Sequence, residues 1–314
     1  MTGALPRIGL FGGDEAVAHG LDRLVREIRV AEQAGFATYW IPQKFALDAL
    51  TALAIAGRAV PRIELGTAVI PIQPRHPAVL AAQALTTQLA VDGRLLLGLG
   101  VSHRILIAGR LALGFGQPFT AMQEYLRVLN PLLHGEHAEF RGSTVGADVA
   151  LTIGAAPPPP VILGALGPRM LDLAGSSADG TITWAVGPRT LENHTIPLLS
   201  AAAARAARPA PRVIAGFAVC VTDDPAAARQ RAAEMFRLSR EYPSYRRVLD
   251  IEGVDDVGEI ALIGDEDELL ERLAQLHSIG VTDVACTEIG ASEEERSRTR
   301  RLLSAAATAA ARGG

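Results

Sequence analysis

Short apolar runs alternate with longer stretches in which apolar residues recur every three or four positions. The first pattern predicts β-strands and the second predicts amphipathic helices. In the clearest unit, a strand ends before Pro71, a helix opens at Pro77, and a second strand reads LLLGLG up to Gly100. Neither strand alternates polar and apolar residues, which is typical of parallel strands covered on both faces. This segment therefore predicts one βαβ unit.

Eight strand and helix pairs of this kind follow one another. The predicted strands are Ile8–Phe11, Ala37–Pro42, Ile63–Ile70, Arg94–Gly100, Val161–Leu163, Thr181–Val186, Arg212–Val221 and Val281–Thr287. The alternation predicts a (β/α)8 TIM barrel, with an open doubly wound sheet as the alternative. We expect one domain over residues 1–314, with insertions at about 104–118, 135–153 and 226–260. A barrel would gather its functional residues on the loops at the carboxyl ends of its strands.

The composition argues against a nucleic-acid-binding protein and against a membrane-spanning one. The 314 residues are 49% hydrophobic, and 30 basic and 34 acidic residues leave a formal charge of −4. No broad basic surface for nucleic acid is expected from this balance. No apolar run reaches the length of a membrane span, and the first residues do not read as a secretion signal.

The two cysteines, Cys220 and Cys286, lie far apart in apolar strands. Buried free thiols are therefore expected rather than a disulfide, and this agrees with a cytoplasmic protein. No spacing of His, Cys or Asp suggests a metal site, so we expect a metal-free site.

Five segments, in order, resemble the bacterial luciferase-like superfamily, especially its branch that depends on coenzyme F420, a deazaflavin. They read AEQAGFATYWIPQ, LGTAVIP followed by RHPAVLAAQALT, DGRLLLGLG, ILGALGPRMLDLAGSSADG and IGDEDELLERLAQLHSIGVTD. The resemblance covers nearly the whole chain. It implies a luciferase-like TIM barrel that binds F420 at the carboxyl ends of its strands and exchanges a hydride with a small organic substrate.

The resemblance also implies where the cofactor lies. In this family a bulge after the third strand, often with a non-prolyl cis peptide, supports the ring, and it corresponds here to Ala68 and Val69. The loop after the fifth strand lies beside the cofactor's phosphate and corresponds to Gly164, Ala165, Leu166, Gly167 and Pro168. A glycine-rich turn that enters a helix presents free N–H groups to an anion, which agrees with this assignment.

The chain departs from the family after the second strand. Family members commonly carry Asp-His or His-His there, whereas this chain carries Gln43-Lys44. The family's acid–base role therefore cannot be carried over to this position. We keep Gln43 as a cofactor-binding candidate and Lys44 as a substrate-binding candidate.

Four further residues, which lie in predicted strands or directly follow them, have two interpretations each. Gly100 and Ser102 could approach the cofactor or pack at the barrel rim. Arg189 could reach the phosphate or lie exposed on its helix. Trp184 could form a wall of the substrate cavity or pack in the core.

His103 is the catalytic candidate. It follows Gly98-Leu99-Gly100, in the loop where a sugar-phosphate dehydrogenase of the resembled family carries a catalytic acid. Its ordinary pKa of about 6.5 suits proton transfer near neutral pH. The alternative is a histidine at the rim that only bonds a loop carbonyl.

The leading hypothesis is thus an F420-dependent oxidoreductase acting on a small molecule. An FMN-dependent monooxygenase of the same fold and a barrel that binds a ligand without turnover are the alternatives, because fold alone does not establish activity. The sequence leaves the substrate, the direction of transfer and a homodimeric state open.

Overall fold

The fold is taken from a computed structural model, which describes residues 4–13, 18–154, 156–237 and 241–313. Its strands are β1 (Arg7–Phe11), β2 (Thr38–Ile41), β3 (Glu64–Thr67), β4 (Ile70–Pro71), β5 (Leu95–Gly100), β6 (Ala138–Arg141), β7 (Gly146–Val149), β8 (Val161–Gly164), β9 (Gly180–Trp184), β10 (Arg212–Val221), β11 (Leu262–Gly264) and β12 (Asp283–Glu288). Strands β1, β2, β3, β5, β8, β9, β10 and β12 pair in parallel in this order, and β12 pairs with β1 to close the ring. The predicted eight-stranded parallel barrel is therefore confirmed.

Helices follow the strands on the outside of this ring. They are α1 (Leu21–Gln33), α2 (Ala49–Gly57), α3 (Pro77–Ala90), α4 (Arg104–Ile107), α5 (Pro118–Leu133), α6 (Pro168–Ser177), α7 (Pro188–Thr190), α8 (Ile196–Arg205), α9 (Pro225–Met235), α10 (Pro243–Glu252), α11 (Glu266–Ser278) and α12 (Glu293–Gly313). A π-helical turn over Leu191–Thr195 joins α7 to α8. Proline occupies the first helical position of several helices because it needs no N–H partner there.

Some local predictions need correction. Within the predicted 226–260 insertion, the pattern of residues 242–259 predicts mostly loop, yet this stretch contains α10, which starts at Pro243 and ends before the left-handed Gly253. The short strand β11 was not predicted, because three apolar residues give too little periodicity to recognise. The sequence pattern predicts a first helix from Glu15 onward; Glu15 lies outside the described residues, and the helix is described from Leu21.

The inside of the barrel is filled by one apolar layer. Its buried members come from six different strands, so they meet inside the ring: Trp40, Leu96, Ile162, Ile182, Ile214 and Ala285. Trp40 is fully buried and donates its indole N–H to Thr38 Oγ1 at 2.9 Å. A Cβ built on Gly66 of β3 would lie 2.1 Å from the Trp40 ring, so the absent side chain makes room for the tryptophan. Gly66 thus lies in the barrel interior, below the carboxyl rim.

An ionic cluster lies at the opposite, amino-terminal end of the strands. Arg212 donates to Asp283 at 2.6 Å and to Glu64 at 3.2 Å, and Arg7 donates to Glu64 at 2.9 Å. These four residues begin β10, β12, β3 and β1. Opposite charges in mutual hydrogen bonds offset one another's desolvation, which allows Asp283 to be buried. This end of the barrel is therefore closed by charge pairing.

The predicted insertion at 135–153 forms an antiparallel hairpin of β6 and β7. The Glu124 carboxylate of α5 holds the hairpin turn, accepting bonds from the backbone N–H and hydroxyl groups of Ser143 and Thr144. The hydroxyl of Thr144 and the N–H of Ser143 are the main causes that lower the pKa of Glu124 to about 2. The hairpin is thus anchored to α5 by a carboxylate that stays ionised.

We expect Gly66→Ala to destabilise the protein by about 3 kcal/mol, because a methyl group overlapping the Trp40 ring would overpack the barrel interior. The matched control is Gly154→Ala, since a Cβ there meets nothing within 4 Å. Urea unfolding followed by tryptophan fluorescence measures both changes. A Gly66→Ala variant as stable as the control would contradict the packing described for the interior.

Candidate active site

A bulge interrupts the third barrel strand at Ala68 and Val69. Gly66 pairs with Leu96 and Ile70 pairs with Leu99, so three residues of the third strand span two of β5. The Ala68–Val69 peptide bond is cis. Both residues are half-buried and pack on the interior layer. They form an apolar floor at the carboxyl ends of the strands.

Two glycines accommodate the Val69 side chain. A Cβ on Gly100 would lie 2.5 Å from Val69 Cγ2, and a Cβ on Gly164 would lie 3.5 Å from Val69 Cγ1. Gly98 is required below them, since its Cβ would lie 1.7 Å from the Thr67 carbonyl oxygen. The structure thus brings together Val69, Gly100 and Gly164, which were predicted to line one site from three separate strands.

The predicted phosphate loop continues directly from Gly164. Gly167 caps α6 without a side-chain hydrogen bond, and Pro168 is the first residue of that helix. His194 lies with Nε2 at 3.3 Å from the Leu166 carbonyl oxygen, which holds the loop from outside. A Cβ on Gly167 would lie 4.0 Å from Nη1 of Arg247, a residue of α10. A guanidinium therefore faces the turn at the start of α6.

His103 lies in the loop after β5, directly after the left-handed Ser102 (φ 55°) and before α4. Its ring stacks on Tyr242 with centroids 3.8 Å apart and planes 8° apart, and Tyr245 lies 5.9 Å away. Burial and, to a smaller degree, the charge of Lys44 lower the pKa of His103 below its usual value. The imidazole is therefore held neutral at pH 7, in the form that accepts a proton.

The segment that covers His103 is the 226–260 insertion. Burial and the neighbouring Tyr242 raise the pKa of Tyr245 to about 12. At the other end of α10, the Glu252 carboxylate accepts hydrogen bonds from the N–H groups of Arg189 (3.1 Å) and Thr190 (2.7 Å). Helix α10 is thus held against the loops that follow both β5 and β9.

Trp184 ends β9 and is half-buried. Its ring centroid lies 5.0 Å from that of Phe11 and 5.1 Å from that of Phe236. A Cβ on Gly216 would lie 2.4 Å from Trp184 Cε3, so β10 leaves room for this ring. Both interpretations of Trp184 hold in part, since one side packs in the barrel while the residue keeps an exposed fraction at the rim.

Other predicted site residues are engaged elsewhere. The Gln43 side chain accepts from the Ala49 N–H at 2.8 Å and donates to the Lys44 carbonyl at 3.3 Å, so its amide holds its own loop. Arg189 is exposed, and a Cβ on Gly253 would lie 3.5 Å from its Nη1. Arg247, rather than Arg189, is the arginine found beside Gly167. The roles of Gln43 and Arg189 toward a cofactor stay predictions.

The sequence did not reveal Tyr242, Tyr245 and Arg247. Pro243 at a helix start was the one available signal for α10, but nothing in it shows which barrel loop the helix crosses. Over the described ranges, no group of three or more His, Cys, Asp or Glu side chains is arranged to hold a metal ion. None of the helices described here has the length and apolar character of a membrane span.

Comparison with known proteins identifies the family. The family model for luciferase-like monooxygenases matches residues 4–283 of this chain. The chain belongs to the luciferase-like monooxygenase family.

Two relatives of this chain are named as a reductase and a dehydrogenase. This luciferase-like chain is 27% identical to a 5,10-methylenetetrahydromethanopterin reductase of Methanolobus tindarius, over 91% of this chain and 96% of that protein. It is 31% identical to an F420-dependent hydroxymycolic acid dehydrogenase of Mycobacterium tuberculosis, over 69% and 64% of the two chains.

Solved structures share the fold of this luciferase-like chain at low identity. An F420-dependent secondary alcohol dehydrogenase in complex with an F420–acetone adduct superposes with a TM-score of 0.80, at 19% identity over 98% of this chain and 99% of that one. The oxygenating constituent of a 3,6-diketocamphane monooxygenase from Pseudomonas putida, in complex with FMN, gives 0.75, at 15% identity over 98% of both chains. The likeness establishes the barrel and leaves the cofactor to other evidence.

We expect Tyr242→Ala to raise the pKa of His103 toward its ordinary value, because the stacked ring excludes water from the imidazole. Tyr242→Phe keeps the ring and should leave the titration as in the wild type. The measurement is an NMR titration of the His103 ring protons, assigned with His103→Gln. An unchanged pKa in Tyr242→Ala would show that the stack does not shield His103.

Proposed function

We propose that this luciferase-like protein is an F420-dependent oxidoreductase that transfers a hydride between the deazaflavin and a small organic substrate. The observation that carries the proposal is the contact of Val69 with Gly100 and Gly164. It joins an apolar floor, suited to one face of a flat ring, to a glycine turn suited to a phosphate.

The residues present fit such a cofactor. Ala68 and Val69 would contact the ring, and the turn from Gly164 to Pro168 would receive the phosphate on backbone N–H groups. Arg247 adds a positive charge beside Gly167, and arginine suits phosphate recognition. The choice of F420 over FMN rests on the named relatives, of which one at 31% identity is F420-dependent.

The bound deazaflavin would supply the hydride donor or acceptor. The protein's own contribution is proton transfer and the exclusion of water. His103 is held neutral by burial, so its free ring nitrogen can take the hydroxyl proton as an alcohol is oxidised to a carbonyl. In the reverse direction the protonated ring would return that proton to the carbonyl oxygen. Tyr242 and Tyr245 cover this side of the site.

The test of cofactor identity is a parallel equilibrium titration of the purified protein with F420 and with FMN, followed by fluorescence. We expect F420 to bind, and Gly167→Leu to weaken its binding by about tenfold or more, equal to about 1.4 kcal/mol. Gly154→Leu is the matched control at an open glycine. Tight FMN binding without F420 binding would favour an oxygen-using monooxygenase, and F420 binding without turnover would favour the non-catalytic alternative.

The test of His103 is His103→Ala, assayed with F420 and an alcohol that the wild type oxidises. We expect kcat to fall by about 10²- to 10⁴-fold, the usual contribution of general acid–base catalysis. For wild type in the oxidising direction, the rate should rise with pH through the lowered pKa of His103 and then level off. The His103→Ala variant should lose this rise in rate with pH while binding F420 normally. The control variant His134→Ala, at an exposed residue, should keep it. A variant with wild-type turnover would exclude His103 as the proton carrier.

A further inference from the structure

Exposed apolar side chains are concentrated beside His103. Of nine large apolar side chains that are exposed in the described part of the chain, four lie in the two loops that follow β2 and β5, the second of which includes the short helix α4: Phe45 (57%), Ile105 (59%), Leu111 (38%) and Leu113 (36%). The other five are scattered over helices α1, α2, α3 and α9. Grouped exposed apolar residues mark a binding surface, whereas single ones are ordinary. We call these four residues the rim patch.

The two loops of the rim patch pack side by side. The guanidinium of Arg110 lies 5.8 Å from the centre of the Phe45 ring, and Lys44 is near enough to His103 to influence its pKa. The second loop is compact, since the N–H of Leu111 donates to the Leu106 carbonyl and the N–H of Leu113 donates to the Ile107 carbonyl. The rim patch is therefore a surface built from neighbouring segments, and it starts two residues after His103.

The second loop of the rim patch, residues 101–118, carries positive charge only. Residues 101–118 contain Arg104 and Arg110 and no Asp or Glu. Arg104 donates to the Phe115 carbonyl at 3.3 Å and Arg110 lies over Phe45; in the described part of the chain, neither forms an ion pair. Apolar side chains with unneutralised guanidinium groups complement a ligand that combines a hydrocarbon chain with a negative charge.

Resting on the proposed function, we infer that the substrate is an anionic amphiphile whose alkyl or acyl chain lies along the rim patch, with its reacting carbon beside His103. The exposed surface area of these four side chains is far smaller than the roughly 800 Å² per partner that a stable protein interface needs. They do match a single hydrocarbon chain, whose burial contributes about 0.8 kcal/mol per CH₂ group.

The inference is tested with the full chain, without F420, by titration calorimetry with dodecanoate below its micellar concentration. We expect dodecanoate to bind more tightly than 1-dodecanol or dodecyltrimethylammonium, and butyrate not to bind.

The double variant Phe45→Ser/Leu111→Ser should weaken dodecanoate binding by about tenfold or more, at about 1.4 kcal/mol per tenfold. Val79→Ser/Leu89→Ser removes two apolar residues of similar exposure from α3 and should bind as wild type. Arg110→Gln should abolish the preference for dodecanoate over dodecanol.

The inference would be overturned if dodecanoate did not bind, or if both double variants lost dodecanoate affinity equally. It would also be overturned if the wild type sedimented as a dimer that Phe45→Ser/Leu111→Ser dissociates, which would assign the rim patch to a second copy. Circular dichroism confirms that the variants are folded. Because F420 is absent from this titration, its failure would leave the cofactor proposal intact, and failed F420 binding with retained dodecanoate binding would reject the cofactor alone.

Discussion

The close approach of Val69 to Gly100 and Gly164 is the constraint on which the site depends. It requires the third strand to carry one residue more than its neighbour, and it requires two strands that lack a side chain at the facing positions. A barrel interior transmits such requirements because it is packed as densely as a crystal. Below the bulge, the absence of a side chain at Gly66 likewise leaves room for the Trp40 ring. The shape of the site floor therefore depends on the packing of the barrel interior.

The cover of the site depends on a different kind of interaction. Helix α10 is tied to the barrel by aromatic stacking of Tyr242 on His103 and by the Glu252 carboxylate on the N–H groups at the start of α7. It also carries Arg247 past Gly167. One inserted helix thus contacts the loops after the fourth, fifth and sixth barrel strands. Through Tyr242 it also contributes to the burial of His103, the candidate for proton transfer.

Charge is distributed unevenly between the two ends of the barrel. At the amino-terminal end, Arg7, Glu64, Arg212 and Asp283 neutralise one another. At the carboxyl end, Asp48 pairs with Arg75, whereas Arg110 and Arg247 form no ion pair among the residues described. Neutralised charge supports the closed end of a scaffold, whereas unneutralised charge is available for an anionic ligand.

The sequence by itself determined the barrel, because apolar runs of strand length alternating with helical periodicity leave few other ways to bury both faces of a parallel sheet. It also marked the bulge and the glycine turn through their resemblance to a family, and the buried free thiols of Cys220 and Cys286. Only the tertiary structure decided which residues surround His103. The stack of Tyr242 joins positions 139 residues apart, and Arg247 meets Gly167 across 80 residues. No local pattern encodes such contacts, because inserted segments are placed by the shape and charge of the barrel loops they cover, not by their own periodicity.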